Sequence, residues 1–205
     1  MKWEHDWGFI KDMMSGAKNE IHLFERTEKA DENQEYPSVK DAIADRVSLI
    51  TVNGYLRILG TSESVYEDAA GFSALYKEIF KEEKRIIAYD VFGGLFAEKK
   101  GILGKIISYF APDSLEWEKL GMDQQKFMDW AFNGDVHKFY ESFLWDGYRE
   151  ILSKVSREEG IFVYPFFWAK ECNIQTAFKK IVPFKDILET NYQNMLAING
   201  AGDDA

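Results

Sequence analysis

The chain has few cysteines, histidines and prolines, and it lacks any long apolar run. Its 205 residues include one cysteine, three histidines and four prolines. A single cysteine cannot form an internal disulfide framework, which excludes the small disulfide-stapled secreted proteins. No run of about 18 apolar residues occurs, so no transmembrane helix is predicted. The histidines His5, His22 and His137 lie far apart and form no HExxH motif, so no metal site is predicted.

Positive charge is also scarce. There are 25 Lys and Arg residues against 35 Asp and Glu, which gives a net charge of 25 − 35 = −10. Such a chain is a poor nonspecific binder of nucleic acid, because phosphate binding requires clustered cations. The first residues, MKWEHDWGFIKDMM, lack the basic and apolar regions of a signal peptide. These absences predict a cytoplasmic protein that binds neither nucleic acid nor membranes.

Apolar residues, by contrast, are plentiful, at 46% of the chain, and aromatic residues make up 16%. This composition argues against disorder. Most aromatic residues recur at helix or strand periods, which is typical of a core. The length fits a single domain, predicted over residues 1–198. Residues 199–205, NGAGDDA, are small and polar and are predicted to be a disordered tail.

The first half of the chain carries a helix pattern and then strand patterns. Apolar residues from Trp3 to Ala17 follow helical spacing, which predicts a helix that ends near Gly16. Ser38 is a candidate N-cap for a second helix, which is predicted to end at about Asp45. The charged stretch 27–37 is predicted to be an exposed loop.

Asn53-Gly54 between two β-rich runs predicts a hairpin, because a type I′ turn needs positive φ at both central residues. Further strands are predicted at 85–91, 95–98, 105–110 and 115–118, with turns at Gly93-Gly94 and 99–104, so 47–118 is predicted to be an antiparallel meander.

After residue 120 the pattern becomes helical. Asp123 and Asp135 are candidate N-caps for two helices, and a third helix is predicted around 148–155. A short strand in the apolar run 161–168 and an amphipathic helix over 184–195 complete the chain. The predicted fold class is therefore α+β: a central antiparallel β meander with an N-terminal helix and C-terminal helices packed on it.

Carboxylates near the sheet turns are the candidate site. Asp113, Glu116 and Glu118 surround the last turn and strand, and Asp90 lies on a neighbouring strand. Glu116 and Glu118 alternate with Trp117, so the two carboxylates share one face. They could perform acid–base chemistry, hold a divalent cation, form a solvated face, or steer a positively charged partner. The predicted partner-binding residues are Asp90, Asp113, Glu116, Trp117 and Glu118; no catalytic residue, metal ligand or cofactor is predicted.

Several separated motifs carry a family resemblance. They are GYLRILG at 54–60, DVFGGLFA at 90–97, YFAPDSLEWEKLG at 109–121, FMDWAFNGDVHKFYESFLWDGY at 127–148 and YPFFW at 164–168. In this order they resemble a bacterial family of uncharacterised proteins, catalogued as domain of unknown function 2625, over about 54–190. The family has no established activity. Its sheet motif usually carries paired aspartates before the glycines, whereas here Tyr89 precedes Asp90.

A looser similarity is to the Smi1-like superfamily of bacterial immunity proteins. It rests on the α+β pattern, the Gly-Gly turn after a strand, and a Glu/Trp strand followed by a helix. This similarity implies a protein that binds and blocks a toxin without catalysis. A basic toxin domain would complement the net negative charge of the chain.

The favoured interpretation is a noncatalytic cytoplasmic protein-binding module, possible partners being basic proteins such as toxin domains. Two alternatives stay open. One is a small-molecule-binding protein or hydrolase that uses the carboxylates around the sheet turns. The other is a homo-oligomeric structural protein that uses the aromatic segment 164–168 as its interface.

Overall fold

The fold is described by a computed structural model for residues 7–26, 35–36, 39–101 and 104–202. Several features of the sequence analysis lie outside these residues: Trp3, the candidate cap Ser38, the loop 27–37 apart from residues 35 and 36, and residues 203–205. Within the described residues, no helix is both long and apolar enough to cross a membrane.

A seven-stranded antiparallel sheet forms the centre of the protein. Its strands are β1 (Ile21–Glu25), β2 (Val47–Val52), β3 (Leu56–Leu59), β4 (Arg85–Asp90), β5 (Leu95–Gly101), β6 (Gly104–Ala111) and β7 (Glu116–Lys119). They pair in chain order from β1 to β7, which confirms the predicted meander. Asn53 and Gly54 have φ of 50° and 78°, the positive values that a type I′ turn requires.

In the described residues, seven α-helices and a short 3-10 helix at Glu141–Phe143 accompany the sheet. The α-helices are α1 (Trp7–Ser15), α2 (Val39–Arg46), α3 (Ala69–Phe80), α4 (Gln124–Asn133), α5 (Val136–Phe139), α6 (Tyr148–Leu152) and α7 (Phe184–Gly202). Asp123 and Asp135 act as the predicted caps, since their carboxylates accept the backbone N–H of Lys126 and Lys138. The predicted α+β class is confirmed.

Helices cover both faces of the sheet. On the α4 face, buried Ile58, Ala88, Phe96 and Tyr109 belong to a cluster that includes Phe127 of α4. On the opposite α3 face, the cluster combines strand residues with α3 and α7; it contains Leu49, Tyr89, Leu95, Phe110, Phe72, Tyr76 and Phe184. Because successive strand residues point to opposite faces, the near-continuous apolar strands supply both layers.

Four features differ from the sequence prediction. The prediction lacked α3, although Asp68 caps it and Phe72, Tyr76 and Ile79 follow helical spacing. The turn predicted at 99–104 was too long, because β5 and β6 stay paired up to Gly101 and Gly104. β8 (Glu159–Tyr164) ends directly before Pro165 and pairs with an unpredicted strand, β9 (Phe178–Pro183), in a separate two-stranded sheet. The last helix continues past Met195 to Gly202.

A buried arginine attaches this second sheet to the first. Arg57 on β3 is 3% exposed. Its guanidinium donates hydrogen bonds to the carbonyl oxygens of Ser156, Arg157 and Glu159, at 2.8, 2.9 and 2.8 Å. These bonds hold the start of β8 against β3, and the N–H of Ile161 donates to Val91 O at 2.7 Å.

We predict that Arg57→Met lowers the free energy of unfolding by about 3 kcal/mol, because three carbonyl groups lose a charged donor. Exposed Arg149 is the matched control, and Arg149→Met is expected to cost less than about 1 kcal/mol. Urea unfolding measures both changes. Hydrogen exchange should also show lost protection at residues 159–164 for Arg57→Met alone; equal protection in the two variants would contradict the assignment.

Candidate functional site

Asp90, one of the five candidate residues, is fully buried at the end of β4. Its Oδ2 accepts hydrogen bonds from the hydroxyls of Tyr109 at 2.9 Å and Tyr140 at 3.1 Å. Its Oδ1 accepts the backbone N–H groups of Phe92 at 2.9 Å and Gly94 at 3.0 Å. One carboxylate therefore joins the β4–β5 turn, strand β6 and the residue that follows α5.

The two glycines of the β4–β5 turn allow this arrangement. Gly93 has φ of 99°, a conformation that other residues rarely adopt. At Gly94 a Cβ atom would overlap the carboxylate of Asp90 and the hydroxyl of Tyr109. The Gly-Gly pair therefore forms a turn, as predicted, and its second member makes room for the buried hydrogen bonds.

Burial controls the electrostatics of this cluster. It raises the pKa of Asp90, while the four hydrogen bonds act in the opposite direction. Burial and the neighbouring Asp90 also raise the pKa of Tyr109 and Tyr140 well above the ordinary range, so both hydroxyls stay protonated donors. Because Asp90 has no exposed surface and its acceptors are occupied, the cluster acts as an internal support and not as a solvent-accessible base.

The other candidates lie on or beside β7. Asp113, Glu116 and Glu118 are exposed. Trp117 is partly buried on the α3 face, with ring centroids 6.1 Å from Tyr76 and 5.6 Å from Phe110. Glu118 pairs in register with Tyr109 and thus sits on the α4 side of the sheet.

The structure therefore divides the five candidates. Three exposed carboxylates share one surface, whereas Asp90 lies inside the core and Trp117 belongs to the opposite face. The sequence pattern could not place Asp90, because its donors Tyr109 and Tyr140 come from positions 19 and 50 residues away.

The exposed acidic region extends beyond β7. Between residues 112 and 146 there are eight carboxylates and three lysines, a charge of 3 − 8 = −5, which is half of the net −10. All eight are exposed: Asp113, Glu116, Glu118, Asp123, Asp129, Asp135, Glu141 and Asp146. We call these eight residues, which share their exposure and their place in the segment 112–146, the acidic surface. Five of them were not among the predicted partner-binding residues, and a charge count along the chain would have found them.

The acidic surface is distinguished by a lack of neutralising partners. Within the part of the chain that the structure describes, none of its carboxylates forms an ion pair. Acids elsewhere are often paired: Glu67 with Arg157, Glu150 with Lys154 at 3.1 Å, and Glu78 with Lys185 at 3.5 Å. The acidic surface therefore projects a negative potential that its own lysines do not cancel at short range.

The described residues offer neither a cluster of metal ligands nor an activated thiol. Among the described residues, no three His, Cys, Asp or Glu side chains are grouped closely enough to hold a metal ion. Burial raises the pKa of the half-buried Cys172 thiol, which disfavours the nucleophilic thiolate.

Sequence comparison gives this chain a family. The family described as protein of unknown function DUF2625 matches residues 2–187. The chain belongs to this family. This confirms the resemblance found from the motifs, and it extends the match toward the N-terminus. The looser similarity of this DUF2625 member to Smi1-like proteins stays a prediction.

Two bacterial relatives of the chain carry no assigned activity. The protein YbfG of Escherichia coli K12, described as uncharacterised, is 30% identical over 198 residues, covering 91% of this chain and 90% of the relative. An uncharacterised protein of Haemophilus influenzae is 26% identical over 176 residues, covering 78% of this chain and 77% of the relative. The descriptions of these relatives therefore suggest no activity for this DUF2625 member.

We predict that Asp90→Ala lowers the free energy of unfolding by about 4 kcal/mol, because four buried donors lose their acceptor. Asp90→Asn keeps the shape and can still hydrogen-bond, so a loss of about 1 kcal/mol is expected. Exposed Asp113→Ala is the control and should change stability by less than about 0.5 kcal/mol. Urea unfolding provides the comparison, and similar losses for Asp90→Ala and Asp113→Ala would disprove the supporting role of Asp90.

The raised pKa of Asp90 also predicts a pH dependence. A raised pKa in the folded state means that the native protein retains a proton which the unfolded chain has released. The resulting stabilisation is complete below the ordinary Asp pKa of about 3.9 and is lost as pH rises through the folded-state pKa. The stability of the wild type relative to Asp90→Asn should therefore fall as pH increases from about 4. Urea unfolding at several pH values measures this difference, and a rise with pH would indicate a lowered pKa instead.

Proposed function

We propose that this protein is a noncatalytic binding module whose acidic surface binds a basic protein. One observation supports the proposal: eight exposed carboxylates between Asp113 and Asp146 have no ion-pair partner within the described residues, whereas acids elsewhere are often ion-paired. Glu116 and Glu118 share one face of β7 and repel each other, and a cationic partner relieves that repulsion when it binds.

The open edge of the sheet supports the same proposal. β7 ends the seven-stranded sheet and pairs with β6 alone among the described strands. An edge strand offers backbone groups to another chain, and charged side chains discourage unwanted pairing. Glu116 and Glu118 would repel a second copy of this acidic chain, whereas a basic partner would be attracted.

Electrostatic capture is the physical consequence. Complementary charge speeds association, and the gain declines with salt because the Debye length is about 10 Å at 0.1 M ionic strength. A more specific version of the proposal is an immunity-like role, in which the partner is a basic toxin domain in the cytoplasm. It is motivated by the Smi1-like pattern and by the negative charge.

The carboxylate-based enzyme receives less support. It requires Asp90 and Asp113 to converge on one accessible pocket, yet Asp90 is 0% exposed and Asp113 lies on the surface. The acceptors of Asp90 are already occupied by four donors. The geometry therefore favours binding over catalysis.

The proposal is tested with two variants of equal charge. Asp113→Asn/Glu116→Gln/Glu118→Gln removes three unpaired carboxylates from the acidic surface. Glu78→Gln/Glu150→Gln/Glu189→Gln removes three exposed carboxylates that are ion-paired elsewhere. Immobilised wild-type protein captures partners from a lysate of the source bacterium. Each captured protein is then purified, and its Kd is measured for the wild-type protein and for each of the two variants.

A basic partner should bind the first variant at least about tenfold more weakly, equivalent to about 1.4 kcal/mol, and the second variant about as well as wild type. Raising the salt concentration should weaken wild-type binding. Recovery of no specific protein, or equal weakening by both variants, would refute the acidic surface as the binding site. Light scattering that shows a stable oligomer would favour the homo-oligomeric alternative.

A further inference from the structure

A groove lies beside the sheet where the pairing between β3 and β4 ends. Their ladder stops at the pair Ile58 and Ala88, and the pairing between β4 and β5 shifts register at Ile87. Gly60 bonds to the start of α3 instead, where its carbonyl oxygen accepts the N–H of Ala69 at 3.1 Å. A groove of about 630 Å³ is left here, lined by residues of α2, α3 and α4.

The floor of the groove is apolar. It consists of Ile58 and Ile87 from the sheet, Ile43 from α2, and Phe127 and Met128 from α4. All five side chains belong to the same buried hydrophobic cluster. Cavities lined by such side chains stay free of water and accept apolar molecules, and ligand pockets typically measure about 300 to 1,000 Å³. The groove therefore has the size and the lining of a site for an apolar ligand.

Three alanines leave the space above this floor open. Ala44 lies on α2, Ala70 and Ala74 lie on α3, and all three line the groove and are exposed to solvent. Their side chains end at Cβ, so none of them fills the groove. A ligand that occupies the space would remove both the alanines and the apolar floor from water, which is favourable.

The charged side chains of the groove already have partners within the described residues. The ion pairs are Lys77 with Glu83 at 3.1 Å, Lys84 with Glu82 at 2.5 Å, and Arg85 with Glu98 at 3.4 Å. The carboxylate of Asp68 caps α3, where its Oδ1 accepts the N–H of Gly71. A charged ligand would have to displace one of these partners, whereas an uncharged ligand leaves them all in place.

The remaining polar side chains of the groove are uncharged. They belong to Thr61, Ser73 and Gln124. The Ser73 hydroxyl accepts the N–H of Ile86 at 2.9 Å and donates to the carbonyl oxygen of Ala69 at 2.6 Å. Hydroxyl and amide groups carry no net charge, so they supply no counter-charge for an ion. Moving an ion from water to such a site is costly, and the lining therefore selects against charge.

We propose that this groove binds an uncharged, mainly apolar small molecule, such as an aromatic compound or an aliphatic alcohol. The ligand lies against Ile58, Ile87 and Phe127, and the ion pairs stay intact around it. The proposal is independent of the proposed function, because the groove contains none of the eight residues of the acidic surface.

Two fluorescent probes that differ in charge test the proposal. N-phenyl-1-naphthylamine is uncharged, and 8-anilinonaphthalene-1-sulfonate has the same aromatic body with a sulfonate. The folded wild-type protein should bind the neutral probe at one saturable site, at least about tenfold more tightly than the anionic probe. Octan-1-ol should displace the neutral probe, and octanoate at the same concentration should not. Tighter binding of the anionic probe, or no saturable binding of the neutral probe, would overturn the proposal.

Substitutions that fill the groove locate the binding. Ala44→Leu and, from the opposite wall, Ala74→Leu should each weaken binding of the neutral probe at least about tenfold. Leucine is nearly as good a helix former as alanine, so both helices should persist. Ala197→Leu on an exposed part of α7 is the matched control and should bind like wild type. Circular dichroism and urea unfolding verify that the variants fold. Unchanged binding in both filled variants would show that the groove is not the site.

Discussion

The hydrogen bonds to the buried Asp90 side chain are the interaction on which the arrangement of the sheet and its helices depends. The carboxylate receives hydroxyl groups from Tyr109 on β6 and Tyr140 after α5, and backbone N–H groups from its own turn. A buried charge is costly unless it is fully hydrogen-bonded. The requirement for four donors therefore fixes the positions of the turn, the sheet and the helical layer relative to one another.

The features that another molecule could contact lie at β7, the last strand of the sheet, and beside the interior strands β3 and β4. At β7 the exposed acids are unpaired, and they belong to the same side of the sheet as α4. Where the ladder of β3 and β4 ends, beyond the pair Ile58 and Ala88, a mainly apolar groove lies between α2 and α4.

Local signals predicted much of the fold and part of the site. Asn53-Gly54, Asp123 and Asp135 act within a few residues of chain, so their roles could be read directly. Helix α3 carried a comparable signal in Asp68 and Phe72 that the prediction missed. Strand β9 has only weak alternation, and its pairing with β8 depends on contacts that the local pattern does not contain.

The sequence by itself determined the α+β class, the order of the meander, the family and the acidic character, because these follow from periodicity, turn chemistry, motif order and composition. Tertiary structure decided that Asp90 is an internal support and that Asp113, Glu116 and Glu118 remain exposed. It also decided that α3 sits behind the gap between β3 and β4. These outcomes depend on which distant residues meet, and hydrogen-bond partners 19 or 50 positions apart leave no periodic trace in the chain.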